Sequence, residues 1–357
     1  MDKKSKTFLY EYLNNNAPTG FETGGQRLWI DYVSEYADEY FTDTYGTAVA
    51  VVNPEAEFKV VIEAHADEIA WYVNYISEKG YLYVIRNGGS DFQIAPSMRA
   101  KVHTETGEVL PAVFGWPALH VREKGKEPKP TQENLTLDCG CTSREEVEAL
   151  GIHVGAVVTF DQDLAELNEK FLVGRALDNR IGGFMIAEVL RHLREEKVHL
   201  PFGLYVTNAV QEEVGLRGAS MIAHRLKPNL AIVTDVCHDT QSPLYNKIKQ
   251  GDISAGKGPV LTVAPAVHNK LLTILRETAT KHEIPFQRAA SSRFTGTDTD
   301  AFAYSGEGVA SALVSLPLKY MHTTVEMVAL SDVENLVKLF FEFLKTLEPD
   351  IDLKYIG

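Results

Sequence analysis

The sequence predicts an α/β fold in which a mixed, mostly parallel sheet flanked by helices is split along the chain by a small β-rich insertion. Three observations lead there. Short apolar, β-branched runs alternate with amphipathic stretches before residue 70 and again after residue 174, the pattern of parallel strands joined by helical crossovers. Between these regions the texture changes to brief strand-like stretches broken by Gly, Pro and charge clusters. The 357 residues, 45% apolar and 24% charged, are enough for about two domains of ordinary globular composition.

Each element has a local reason. Phe8, Leu9, Tyr12 and Leu13 recur at helical spacing, so residues 3–14 form an amphipathic helix that ends at Asn14, Asn15 and Asn16. A second helix covers about 22–36, and the apolar runs 47–52 and 58–64 suit strands covered on both faces. From 71 to 160 the strands are short, with 81–85, 100–103 and 112–114 among them. Residues 123–130 have too little apolar surface to pack, which marks a mobile excursion. Beyond Gly174 come a helix over 179–194, a strand at 203–209, a helix at 218–225, a strand at 230–234 and a helix at 269–281. A glycine and threonine loop at 293–300 leads to a strand at 309–315. The closing helix opens with Ser331-Asp332-Val333-Glu334, a capping-box signature. The division is therefore 1–70 and 164–357 for the α/β core and 71–163 for the insertion.

Charge and cysteine content narrow the function. Lys plus Arg number 35 against 49 Asp plus Glu, a formal charge of −14 that disfavours nucleic acid and anionic membrane surfaces as partners. No apolar run approaches the roughly 20 residues that span a bilayer. Cys139, Cys141 and Cys237 are too few and odd for a disulfide framework, and no signal-like apolar stretch follows Met1, so a reducing, cytoplasmic setting is expected. Cys139-Gly140-Cys141 lacks the spacing and ligand number of a zinc site, and these cysteines read as buried small hydrophobes. Gly256-Lys257-Gly258-Pro259 reads as a turn, because Pro removes an amide that a phosphate cradle would need.

The candidate chemistry lies where apolar strands end, the place at which open α/β sheets build their sites. The first run ends in His65-Ala66-Asp67. Residues i and i+2 share a strand face, so Asp67 can orient the His65 ring while its other nitrogen ligates a metal; a surface pair is the plain alternative. Asp178, before a helix, is either a cap or a carboxylate bridging two cations. Glu212 and Glu213 follow another apolar strand, where one can ligate and its neighbour act as general base, unless they form a solvated acidic loop. Asp235 ends a third strand. His322, alone, is as readily structural as a ligand. Together, His65, Asp178, Glu213, Asp235 and His322 are a nitrogen and carboxylate set that suits zinc, cobalt or manganese, and five ligands serve two ions when one carboxylate is shared.

The ordered motifs APTGFE, HADEIAW, RALDNRIGG, QEEVGLRGA, the Asp235 strand, GKGP, GTDTDA and YMHTTVE cover nearly the whole chain. In this the chain resembles the co-catalytic metallopeptidase family of glutamyl, deblocking and tetrahedral aminopeptidases, some of them labelled endoglucanase-like. The resemblance implies a zinc-peptidase-like α/β core with a β-barrel-like insertion that serves assembly and substrate access. It implies that His65, Asp178 and Asp235 hold one divalent metal ion and Asp178, Glu213 and His322 the other, zinc or cobalt with manganese as the alternative. Glu212 is then the general base, Asp67 the residue orienting His65, and the Asp178–Asn179 bond a cis peptide. Hydrolysis of the first residue from peptides with a free amino terminus follows, by way of a metal-bridged water, in a homo-oligomer expected to be a dodecamer. Asp298-Thr299-Asp300 and Thr234 to His238 depart from the commoner forms of their motifs, which bears on substrate preference. A metal-dependent deacylase or carboxypeptidase of the same fold is the runner-up. A glycosidase would leave both histidines without a role, and a non-catalytic metal-binding protein would have no use for Glu212.

Overall fold

The computed structural model describes residues 1–356, and its central layer is a sheet whose middle is parallel and whose edges are antiparallel. Strands Gly203–Ala209, Lys59–His65, Leu230–His238 and Ala310–Lys319 lie side by side in parallel, and each is almost wholly buried. Ala48–Val52 adds an antiparallel edge on one side, and Glu326–Ala329 followed by Phe171–Gly174 adds one on the other. This is the mixed α/β architecture expected from the apolar runs.

One face of the sheet carries the helix Leu177–Glu195, which packs on Lys59–His65, with Lys3–Asn14, Thr23–Val33 and the closing helix Leu330–Thr346 around it. The opposite face carries Arg217–Leu226 and the short helix Thr299–Ala303. Glycine permits the closest of these approaches. A Cβ on Gly182 would lie 2.8 Å from the Ala64 methyl, so the helix backbone rests directly on a strand side chain at the level of the site. The opening helix is anchored by stacking of Phe8 on Tyr32, with ring centroids 3.8 Å apart, and by Arg180, whose buried guanidinium donates to the carbonyls of Tyr12 and Asn15.

The insertion is a closed antiparallel barrel of six strands: Ala70–Ile76, Leu82–Asn87, Thr136–Asp138, Val109–Gly115, Arg99–His103 and Val157–Phe160. It has its own core. Trp71 is fully buried there, with Phe92, Phe114 and Phe160 arranged around it at edge and tilted angles. Closure removes the exposed sheet edges that strands this short would otherwise present. Residues 123–130 run over its surface, almost entirely exposed.

Two sequence expectations are corrected. The closing helix begins at Leu330 with Ala329 as its cap and no side-chain cap hydrogen bond, so the capping box at Ser331 does not form. Asp332 is instead recruited by the Gly256–Pro259 turn, where its carboxylate accepts from the amides of Gly256 at 2.6 Å and Gly258 at 2.8 Å. Two fixed amide donors hold a buried carboxylate better than one capping bond. Cys139, Cys141 and Cys237 are also not buried outright; each is partly exposed, because the first two lie at the barrel's rim and the third faces the cleft described next.

Candidate metal centre and active site

All seven residues singled out in the sequence meet at the carboxyl ends of the parallel strands. His65 ends Lys59–His65, Asp235 lies in Leu230–His238, and Glu212 and Glu213 form a single 3-10 turn just past Gly203–Ala209. Asp178 stands at a kink near the start of Leu177–Glu195, where its backbone and that of Asn179 are not helical. The Asp178–Asn179 peptide is cis. Asp178 does not act as a helix cap, because its carboxylate faces His65 and His322 and accepts from no amide of the helix. His322 follows the strand Ala310–Lys319 in a left-handed conformation, φ 60°.

Asp178 lies between the two histidines. Its Oδ1 is 3.2 Å from His65 Nε2 and its Oδ2 is 3.3 Å from His322 Nε2. Asp235 Oδ1 is 3.9 Å from His65 Nε2, and Glu213 Oε1 is 3.5 Å from His322 Nε2. Donor atoms of His65, Asp178 and Asp235 fall within 4.8 Å of one another, as do those of Asp178, Glu213 and His322. Glu212 Oε2, 3.9 Å from His65 Nε2, joins a third grouping with His65 and Glu213.

Asp67 organises this set from behind. Fully buried, it faces His65 Nδ1 at 3.4 Å and accepts from the amides of Glu212 at 3.0 Å and Glu213 at 3.2 Å and from the Thr19 hydroxyl at 2.9 Å. One carboxylate therefore fixes a histidine ring and the two glutamates together.

The electrostatics are those of acids crowded out of water. Burial, reinforced by Asp235, Asp298 and Glu213, pushes Glu212 up to about 10, and burial pushes Asp235 up to about 7. Burial opposes a charged His322, but its contacts with Asp178 and Glu213 prevail and push it up to about 11. His65 is raised well above its ordinary value in the same way, through Asp178 and Asp67, while both histidines hold Asp178 below the usual carboxylate range against its burial. So much clustered negative charge calls for positive charge in its midst.

The donor set fits divalent cations. It offers imidazole nitrogen and carboxylate oxygen, and Glu213 Oε1 is buried with no hydrogen-bond partner within the protein. The cleft in front, about 790 Å³, is walled by Leu216, Phe294, Met321 and Ala301, and no Lys or Arg lines it among the described residues.

Several residues that complete the site were not singled out by sequence reasoning. Glu326, four residues past His322, accepts from the His322 amide at 2.7 Å and the Asp178 amide at 3.0 Å. Asn179 Nδ2 donates to the Thr234 carbonyl at 2.8 Å, tying the kinked helix start to the strand that bears Asp235. Gly88 and Gly89, from the barrel, press against Glu213 and His322: a Cβ on Gly89 would lie 2.4 Å from His322 Nδ1. Of these, Glu326 and Asn179 carried a sequence signal, Glu326 as the end of the YMHTTVE run and Asn179 within RALDNRIGG. Gly89→Ala is accordingly expected to displace the His322 ring and lower kcat/KM about 100-fold, the scale of a misplacement near 1 Å at a reacting centre. Steady-state kinetics and the position of His322 in a crystal structure of the variant check this.

The geometry has counterparts among known proteins. A lysyl aminopeptidase from Pyrococcus furiosus is 35% identical over 334 residues, covering 93% of this chain and 94% of that one. The TET aminopeptidase of a marine Thaumarchaeota archaeon superposes with a TM-score of 0.91 at 27% identity, covering 97% of both chains. The Pyrococcus horikoshii TET1 peptidase, which can assemble into a tetrahedron or a large octahedral shell, superposes with a TM-score of 0.83 at 28% identity over 96% of this chain and 100% of its own. The M42 glutamyl aminopeptidase family model matches residues 46–339, which takes in His65, Asp67, Asp178, Glu212, Glu213, Asp235 and His322. With that match and the 35% identical relative, the chain belongs to the M42 family of peptidases, hydrolases of the peptide bond.

Proposed function

We propose that this aminopeptidase removes the first residue of peptides with a free amino terminus at a dinuclear metal centre, with Glu212 as general base. The observation that carries this reading is Asp178, one oxygen toward His65 and the other toward His322, the arrangement of a carboxylate shared by two ions. His65, Asp178 and Asp235 would hold one divalent ion, and Asp178, Glu213 and His322 the other. Bound there, zinc or cobalt, or manganese in their stead, would supply Lewis acidity toward a water and the scissile carbonyl.

The protein's own groups do the rest. Glu212, at the cleft edge of the set, takes a proton from the attacking water and returns it to the leaving amine. Asp67 keeps the Glu212 backbone in place through its amide and fixes the His65 ring. Without a lining Lys or Arg the cleft gives an acidic first residue no side-chain counter-charge. The division into a core of 1–70 and 164–357 and an insertion of 71–163 for assembly and access belongs to the same reading. So do a homo-oligomer, expected to be a dodecamer, with the dodecamer of the structural neighbour PhTET1-12s in its support, and a cytoplasmic site of action. No helix among the described residues is long and apolar enough to cross a membrane.

The test is hydrolysis of aminoacyl anilides, with free and acetylated amino termini, by chelator-treated protein before and after addition of zinc or cobalt. The expected result is metal-restored cleavage of the free-amine substrates alone, Lys and Leu ahead of Glu. No cleavage of either kind of anilide in any condition would turn the reading to a deacylase, and equal cleavage of acetylated substrates would overturn the requirement for a free amino terminus. Activity untouched by chelators would remove the metals from the reaction.

A further inference from the structure

The APTGFE motif lies beside the centre, and one of its side chains reaches the turn that carries Glu212. The motif belongs to the loop between the helices Lys3–Asn14 and Thr23–Val33. Its start is pinned: the Ala17 amide donates to Glu68 Oε1 at 2.7 Å and the Thr19 amide to the Glu68 carbonyl at 3.0 Å. Its end is Glu22, 3% exposed, which holds the cap position of Thr23–Val33 yet makes no side-chain bond to that helix. The carboxylate turns the other way. Glu22 Oε1 accepts from the Gly20 amide at 2.8 Å and, across 189 residues of sequence, from the Gln211 amide at 3.2 Å.

That second bond completes a series. The amides of Gln211, Glu212 and Glu213 are consecutive, and all three donate to buried carboxylates: the first to Glu22, the other two to Asp67 at 3.0 and 3.2 Å. The turn needs such holding, because Gln211 and Leu216 on either side of it both take left-handed backbone, φ 57° and 60°, which residues with a side chain adopt only at a cost. Two bonds to one carboxylate leave a turn free to rock about it. A third bond, from a different element, removes that freedom.

We propose that Glu22 is a positioning residue for hydrolysis: through the Gln211 amide it stops the turn from rocking about Asp67 and so sets the direction of the Glu212 carboxylate toward the attacking water. This rests on the reading of Glu212 as general base. Glu22 does not line the cleft and supplies no atom to the donor groups that would hold the metals, so its removal leaves the ions and the substrate's contacts in place. What the Gln211 amide requires is an oxygen acceptor. An amide oxygen at the same place serves it as a carboxylate oxygen does.

The experiment compares Glu22→Ala, Glu22→Gln, Glu212→Gln and the double variant Glu22→Ala with Glu212→Gln, each as the full metal-loaded chain, by steady-state kinetics on a free-amine aminoacyl anilide and by elemental analysis. Glu22→Ala is expected to lower kcat about 100-fold, the scale of a misplacement of about 1 Å at a reacting centre, with KM little changed and both metal equivalents bound. Glu22→Gln keeps the oxygen and is expected to recover about half or more of the parent kcat. Glu22→Leu, which has bulk but no acceptor, is expected to match Glu22→Ala and replaces it should the smaller side chain unsettle the loop. On the Glu212→Gln background, Glu22→Ala is expected to cost less than about twofold, because the group it positions is already gone. Undiminished kcat in Glu22→Ala beside a crippled Glu212→Gln would overturn the proposal alone. So would an equal loss on both backgrounds, no recovery in Glu22→Gln, or loss of metal along with kcat. Undiminished turnover in Glu212→Gln would remove the general base, and the role of Glu22 with it.

Discussion

Glu212→Gln is expected to lower kcat about a thousandfold, within the range supplied by a positioned acid or base, while both metal equivalents stay bound. The substitution keeps the side chain's size and leaves in place the Glu212 amide that Asp67 holds at 3.0 Å, so the backbone of the turn has no reason to move. The amide cannot take a proton from water. KM should change little, since the group acts on the reacting atoms and not on the bound ground state. Turnover and elemental analysis on one preparation decide the matter. Undiminished turnover would end the base assignment, and loss of an ion would recast Glu212 as a ligand, in line with its place in the grouping with His65 and Glu213.

Asp178→Ala should fail differently. Each of its oxygens faces one histidine, at 3.2 and 3.3 Å, so removal takes a ligand from both ions at once and leaves His65 and His322 beside acids with nothing between them. The expected outcome is less than one equivalent of metal after dialysis and activity at the assay background, with far-UV circular dichroism unchanged. Two full equivalents would refute the shared carboxylate.

These two residues also mark what was legible in the sequence. His65, Asp178, Glu213, Asp235 and His322 could be found because each stands beside an apolar run that had to be a buried strand or helix, and strand ends converge whatever the details of the loops. Glu326 could not be found that way. It reaches Asp178 only because Glu326–Ala329 pairs antiparallel with Phe171–Gly174, setting Glu326 opposite Gly174, and pairing register between distant segments leaves no mark in local periodicity. Gly88 and Gly89 were hidden for a similar reason: their role is to be small where the barrel meets the core, and glycine in a loop has many ordinary explanations. The capping box failed because Ser331 and Asp332 satisfy a local rule that a more distant turn outbid.

The contact of Gly89 with His322 has a mechanical side. The strand Leu82–Asn87 runs from the rim of the barrel to this contact, and at its end Asn87 Nδ2 donates to the Thr19 carbonyl at 2.8 Å, while the Thr19 hydroxyl bonds Asp67. The strand thus ties the insertion to both sides of the centre, through Asn87 on the Asp67 side and through Gly88 and Gly89 on the Glu213 and His322 side. A tilt of the barrel of even half an ångström at this end would be delivered to His322 directly, since packed groups at van der Waals contact transmit strain and do not absorb it. The seam between barrel and core is thus part of the geometry of the centre itself.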